Sequence, residues 1–270
     1  MILIISSKKD IHAILVQKEL RSRGEEVEIF DLMAFSDDSF LSYEIRENSL
    51  REFMVANENK ISLKNITSIW YRRPRYPRMP KSVIAKEDRQ FGALEWVNAI
   101  DGVLSLDVKY VNHPQNQDAA IKPKQLEIAR DCSLRIPETL ITNNPAKAEE
   151  FLIKHGNRVV HKAMSAPSHR FLETRLWKED DRRHLSDLPL APTIFQEYIS
   201  GPYDVRTTVV GDEIFSARIT NQDELHLADS RLNLDALNEP YELPEEIRDC
   251  IFRLMKKDGF GIWDPRPKDN

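Results

Sequence analysis

Glycine is the residue this chain most lacks. Its 270 residues hold 8 glycines, at positions 24, 92, 102, 156, 201, 211, 259 and 261, roughly 3% where about 7% is usual. No GxxxxGKS/T, GxGxxG or GxSxG can be assembled from those positions, which excludes a Walker-type P-loop, a Rossmann fingerprint and a nucleophile elbow. Cysteine is almost as scarce. Cys132 and Cys250 stand far apart with no CxxC, so neither a disulfide framework nor a zinc site is indicated, and the seven histidines include no HExxH. Long apolar runs are missing too. Met1-Ile2-Leu3-Ile4-Ile5 is short and its charges, Lys8, Lys9 and Asp10, come after it, whereas a secretory signal carries its charge first. Nothing approaches the ~18 apolar residues of a membrane span. The expectation is a cytoplasmic protein with no membrane partner. Basic excess is absent as well: 39 Lys and Arg against 44 Asp and Glu give −5, which argues against a nucleic-acid partner.

What is present describes a soluble globular protein. Hydrophobic residues make up 41% and charged residues 31%, and the length suits one large domain or two modest ones. The first third alternates strand and helix. Ile2 to Ile5 reads as a buried strand. Asp10 can cap a helix carrying Ile11, Ile14, Leu15 and Leu20 on one face, with Gly24 at its end, and Val27 to Phe30 is a second strand. Short antiparallel segments are expected over 40–65 and another strand over Ile66 to Tyr71. A helix from about Ala85 to Ser105 offers Phe91, Leu94, Val97 and Leu104. Residues 111–124 read as a polar connector that opens a helix of Gln125 to Arg130.

Beyond the connector, Thr139 to Thr142 reads as a strand and Pro145 to Lys154 as a helix with Asn144 as cap. Val159 to Lys162 follows as a strand, while 173–190 is too charged for a core strand. Ile194 to Ile199, Asp204 to Val210 and Glu213 to Ile219 are strands, the last two joined at Gly211-Asp212. Glu245 to Lys257 is a final helix. The fold class is α/β first and α+β second.

The stretch from Phe195 to Arg218 carries the densest chemistry. Asp204 and Arg206 sit at i and i+2 on one strand and so share a face, which Arg218 can join from the paired strand. Two guanidiniums beside an acid suit a phosphate or carboxylate; the same residues equally suit a surface hairpin with ordinary ion pairs.

Several pieces, in order, resemble the RimK-like branch of the ATP-grasp superfamily, and within it the maturases of microviridin-type peptides (graspetides). Ile69-Trp70-Tyr71-Arg72-Arg73-Pro74 looks like the Trp-Tyr-Arg-Arg-Pro signature of their N-terminal domain. Asn112-His113-Pro114 with Lys122-Pro123-Lys124-Gln125-Leu126 resembles their interdomain connector. Ile136 to Asn143 resembles the opening of the ATP-grasp domain, and Phe195 to Arg218 is the most specific block.

The resemblance implies an ATP-grasp fold in three parts: an N-terminal α/β pre-ATP-grasp domain over 1–112, a first ATP-grasp subdomain with linker over 113–192, and a second, incomplete one over 193–270. It implies ATP and Mg²⁺ as cofactors. Lys122 and Lys162 match phosphate-binding lysines. Glu197, Tyr198 and Ile199 match the hinge that reads adenine, and Asp204 with Arg206 matches an Asp-x-Arg. Arg206 and Arg218 are then the catalytic arginines, near the γ-phosphate or acyl acceptor. The implied partner is a precursor peptide with a leader segment, for which Glu173 to Asp187 is a candidate surface, and a homodimer is expected. The implied reaction joins a side-chain carboxylate to a hydroxyl or amine of the same peptide through an acylphosphate.

One element departs from the pattern. Gly261-Ile262-Trp263-Asp264-Pro265-Arg266 looks like the family's metal-binding Gly-x-x-Asp-x-Arg, which makes Asp264 the metal candidate, but the later Glu-x-Asn element and last helix of the fold are missing. Three explanations stand open: a shortened maturase, a pseudo-enzyme that binds leader peptide without turnover, or completion by another chain. A RimK-like amino-acid ligase is the remaining alternative.

Overall fold

The computed structural model describes residues 1–36, 41–42, 54–56, 59–165, 172–220 and 236–259. Asp264 lies outside them, as does the whole of its Gly261 to Arg266 motif. The chain divides into two compact units, separated between Ala119 and Ala120.

The first unit is built on a parallel sheet in the order β2-β1-β5-β6, from β1 (Ile2–Ile5), β2 (Val27–Phe30), β5 (Ser68–Tyr71) and β6 (Lys109–Val111). A short antiparallel hairpin, β3 (Met54–Ala56) and β4 (Asn59–Ile61), intervenes in sequence. Helices cover both faces of the parallel sheet, which is why β1 is an unbroken apolar run with Leu3, Ile4 and Ile5 fully buried. Helix α1 (Ile11–Ser22) meets Ile4 and Val27 through Ala13, while α2 (Lys86–Leu104) meets Leu3, Ile5 and Ile69 through Ile100, Val103 and Leu104.

Both helices form where the sequence predicts, but on different faces. In α1 the sheet-facing row is Ala13, Gln17, Leu20 and Arg21: Gln17 Nε2 and Arg21 Nη2 donate to the Val27 carbonyl at 3.2 and 2.8 Å. Ile11 and Leu15 stay more than half exposed. In α2, Trp96, Ile100, Val103 and Leu104 face the core, and Phe91 and Leu94 face out. A small residue lets α1 approach the sheet closely, a choice that apolar spacing cannot reveal. The polar connector is also more ordered than its composition suggests. It holds the last residue of β6, all of α3 (Pro114–Ala119) and the start of α4 (Lys122–Asp131).

The second unit carries two antiparallel sheets. One runs β7-β10-β8-β9, from β7 (Thr139–Thr142), β8 (Val159–Lys162), β9 (Arg175–Leu176) and β10 (Thr193–Glu197). The other is β11 (Asp204–Val210), β12 (Glu213–Thr220) and β13 (Leu237–Pro240). Helix α5 (Pro145–Lys154) starts at Asn144, whose side chain accepts from the Ala146 and Lys147 amides at 2.9 and 3.3 Å. Together with the 3-10 stretch Glu179–Leu190 it covers one face of the four-stranded sheet, burying Phe151, Leu152, Val159, Trp177, Leu188 and Phe195. Helix α6 (Glu245–Asp258) packs against α4, and Arg253 donates to the Cys132 carbonyl at 3.2 Å. No helix among the described residues is long and apolar enough to cross a membrane.

Candidate functional site

Strand alternation gives the four-stranded sheet two unlike faces. Phe195, opposite His161 and Leu140, points toward α5. The register puts Lys162 opposite Ile194, and Gln196 between Val160 and Thr139, on the other face. Gln196 is a buried amide and both its ends are used. Its Oε1 accepts from Lys162 Nζ at 2.8 Å, and its Nε2 donates to Thr139 Oγ at 2.8 Å; Thr139 in turn donates to the Pro137 carbonyl at 2.9 Å. That chain aims the lysine.

Lys122 arrives at the same strand end from the first turn of α4. Its Nζ donates to the Ala163 and Met164 carbonyls, at 2.6 and 2.8 Å, just past Lys162. The two ammonium groups are near enough to matter electrostatically: burial, then the charge of Lys122, lowers the pKa of Lys162 from its ordinary value. Two cations held close together form a ready place for a polyanion. Among the described residues no group of His, Cys, Asp and Glu is arranged to hold a metal ion.

The other expected residues lie elsewhere. Glu197 ends β10; its carboxylate accepts from the Glu138 amide at 3.3 Å, and the Tyr198 amide donates to the Arg158 carbonyl at 3.0 Å. Ile199 follows and is well exposed. Asp204 and Arg206 are exposed on β11 and share a face, as alternation requires.

Arg218 does not join that face. The two-residue turn at Gly211, with φ +60°, pairs Val210 with Glu213, so Arg218 falls opposite Val205 while Asp204 and Arg206 face Ile219 and Ala217. A shift of one residue reverses the face. Arg218 instead forms an ion pair with Glu239 of β13 and lies 5.5 Å over the Tyr203 ring, and the Glu239 hydrogen bond raises its already high pKa.

A cavity of about 520 Å³ opens on the helix-covered side of the sheet, with His161, Arg175, Trp177, Asp181, Asp187 and Phe195 in its wall. Trp177 Nε1 and His161 Nε2 are buried there without a hydrogen-bond partner among the described residues; Asp181 lies 3.9 Å from His161 Nε2. Burial lowers the pKa of His161, against the opposing pull of Asp181. Neither this pair nor the Gln196 bridge is foreseen in the sequence. A polar residue between Phe195 and Glu197 in an otherwise apolar strand is the signal that could have found Gln196.

Residues 1–118 match the family model of the MvdD pre-ATP grasp domain, nearly coincident with the first compact unit. The first unit is thus similar to a pre-ATP-grasp domain. No curated protein matches. Among solved structures, the chain is similar to macrocyclase MdnC of Microcystis aeruginosa MRC, bound with precursor peptide MdnA. Identity is 28% and the TM-score 0.81, over 96% of this chain and 83% of that one. It is similar as well to a RiPP-associated ATP-grasp ligase of Chryseobacterium gregarium, in complex with ADP and a leader and core peptide, at 28% identity and TM-score 0.82 over 95% and 81%. The ATP-grasp ligase PsnB, complexed with minimal precursor, Mg and ADP, matches at 24% and 0.72 over 96% and 81%. The chain has the ATP-grasp fold.

In the first unit, Trp70-Tyr71-Arg72-Arg73 spans the end of β5 and its exit. Tyr76 donates to Asp101 at 2.6 Å, so Tyr71 must be the donor in its 2.7 Å bond to Tyr76; burial pushes both phenols up. Arg72 stacks over Trp70 and pairs with Asp10.

Proposed function

We propose that this chain is an ATP-dependent ligase that joins a side-chain carboxylate of a ribosomally made precursor peptide to a hydroxyl or amine of the same peptide, closing an ester or amide ring. The observation that carries the reading is the convergence of Lys122 and Lys162, from a helix start and a strand end, onto one place at the end of β8. The two 28%-identical relatives, one holding a precursor peptide and the other ADP with leader and core peptide, support it. The carboxylate would take the γ-phosphoryl group of ATP with release of ADP, and the hydroxyl or amine would then attack the acylphosphate carbonyl, expelling inorganic phosphate. The lysines bind and orient the phosphates, and Mg²⁺ would share their charge; phosphoryl transfer is mostly positioning and charge neutralisation. Arg206 is assigned to the γ-phosphate or acyl acceptor of the same reaction, and Asp204 to nucleotide binding. No protein nucleophile is required.

The cavity beside Trp177 is assigned to the leader segment. A peptide carbonyl there would satisfy the buried indole N–H, and Asp181 and Asp187 suit a basic leader residue.

Thermal unfolding with and without Mg-ATP is the test, on this chain and on Lys162→Ala. A ligand at 100 times its Kd stabilises by about 2.7 kcal/mol, a shift of roughly 5–10 °C for a chain of this size. The shift should vanish in Lys162→Ala. ADP release and loss of one water per ring from the precursor, read by mass spectrometry, complete the assay. Absence of both the shift and ADP release would overturn the reading.

A further inference from the structure

The parallel sheet of the first unit has a topological switch point that the reaction above leaves unused. The connection β1-α1-β2 runs one way across one face, and β5-α2-β6 runs the other way across the opposite face. A crevice therefore opens at the carboxyl ends of β1 and β5, the place where open α/β sheets take their ligands. Arg72, Arg73 and Arg75 leave β5 there, beside the Ser6 to Asp10 turn that leaves β1.

The three arginines are not alike. Arg72 Nε donates to Asp10 at 3.0 Å, and the Ser6 hydroxyl, buried in the sheet end, donates to the same carboxylate. Arg75 donates to Asp31 at 2.6 Å and to the Ser7 hydroxyl at 2.8 Å. Those two guanidiniums are neutralised. Arg73, between them in sequence, is exposed and makes no ion pair among the described residues. It also holds φ +46°, in the left-handed region that non-glycine residues adopt at a cost. Strain of this kind clusters at functional positions. Lys8 and Lys9, exposed on the facing turn, add positive potential. The end of α1 is not the attraction, because Asp10 already accepts from the His12 amide of its first turn.

We propose that this crevice is a carboxylate-binding site, in which Arg73 grips an Asp or Glu side chain of the peptide substrate. A planar guanidinium flanked by two neutralised neighbours is suited to one bidentate carboxylate rather than to a polyphosphate. That the carboxylate belongs to a peptide rests on the ligase reading; the site itself does not.

The experiment measures fluorescence anisotropy of a labelled, Asp- and Glu-containing peptide on the full chain, without nucleotide, against a twin with Asn and Gln. Arg73→Gly is the decisive variant, since glycine accepts φ +46° without strain. Expected is at least ~10-fold discrimination for the acidic peptide, lost in Arg73→Gly although that variant melts at or above the parent temperature, and weakened in Arg73→Lys. The Mg-ATP shift should persist in Arg73→Gly. Equal binding of the two peptides by the parent chain, or undiminished discrimination in Arg73→Gly, would overturn the site. So would displacement of the acidic peptide by inorganic phosphate at equal concentration, which would identify a phosphate site instead. Discrimination without any Mg-ATP shift would uphold this site while removing the ligase reading.

Discussion

Replacing Gln196 with leucine puts the Lys162 geometry to a quantitative test. Gln196→Leu removes a hydrogen bond to a charged donor and one to a neutral hydroxyl, each 2.8 Å long. The first contributes about 1.5–3 kcal/mol and the second about 0.5–1.5 kcal/mol. Leucine at the same buried position recovers roughly 1 kcal/mol through its apolar surface. The net expectation is a loss of about 1–3 kcal/mol in the unfolding of the second unit. Lys162→Met alone strands the amide oxygen and costs a similar amount, about 1–3 kcal/mol. The double variant removes both partners, so neither is left unsatisfied, and it should be less destabilised than the sum by about 1.5–3 kcal/mol.

Urea unfolding of the four proteins measures that coupling, followed by tryptophan emission because the Trp177 ring centre lies 6.0 Å from that of Phe195 in the core beside the sheet. A coupling below about 0.5 kcal/mol, within the additivity of independent sites, would refute the bridge. It would also remove the argument that the lysine is held in place before any ligand arrives.

Asp10 links the first unit to pH. Burial alone would raise its pKa, but the Arg72 hydrogen bond, the His12 amide, the Arg72 charge and the Ser6 hydroxyl together hold it below 3.8. The unfolded chain then takes up the proton first as pH falls, so this stabilisation is complete above about pH 5 and fades below about pH 4. The stability gap between the parent chain and Asp10→Asn should be flat near neutrality and narrow in acid; a gap unchanged to pH 3 would refute it. Asn144→Ala removes the cap of α5 and should cost about 1 kcal/mol in the urea midpoint of the second unit. Trp177→Phe keeps the ring but not the N–H, and should weaken leader binding with little change in the Mg-ATP shift.

The sequence was most legible where a single local rule decides the outcome. The Gly211 turn, the Asn144 cap and the apolar run of β1 each sit where composition places them. Legibility failed where two elements had to be compared. The face of α1 depends on Ala13 fitting against Ile4 and Val27, and three larger apolar residues outvote it in any reading of the helix alone. Arg218 was placed with Arg206 because both lie on paired strands, yet its face follows from the parity of the register, set by the turn between them. Helix α4 hides behind a polar start: Ile121 offers no side-chain cap, and Pro123 in the first turn is the one cue that a helix opens at Lys122. The Lys122–Lys162 pair was reached by resemblance, whereas the Gln196 bridge that orients it needed the register of three strands.

If the proposed nucleotide site holds, a glycine-poor chain would rely on lysine side chains for the phosphates, and that has an electrostatic consequence. A glycine-rich loop offers backbone N–H groups that carry no net charge, whereas Lys122 and Lys162 are cations whose charges oppose each other. Burial and that repulsion lower the pKa of Lys162 in the free protein. A bound polyphosphate would favour the charged form and raise it again. Binding therefore takes up protons over the alkaline interval between the two values. Affinity for Mg-ATP should be level near neutrality and fall as pH rises through the free-state value of Lys162. The fall should steepen for Lys122→Arg, whose charge persists to higher pH, and flatten for Lys162→Arg, which cannot lose its proton there. Isothermal titration in two alkaline buffers of different ionisation enthalpy would report the proton directly. An affinity independent of pH through that interval would mean that the nucleotide phosphates do not lie against Lys162.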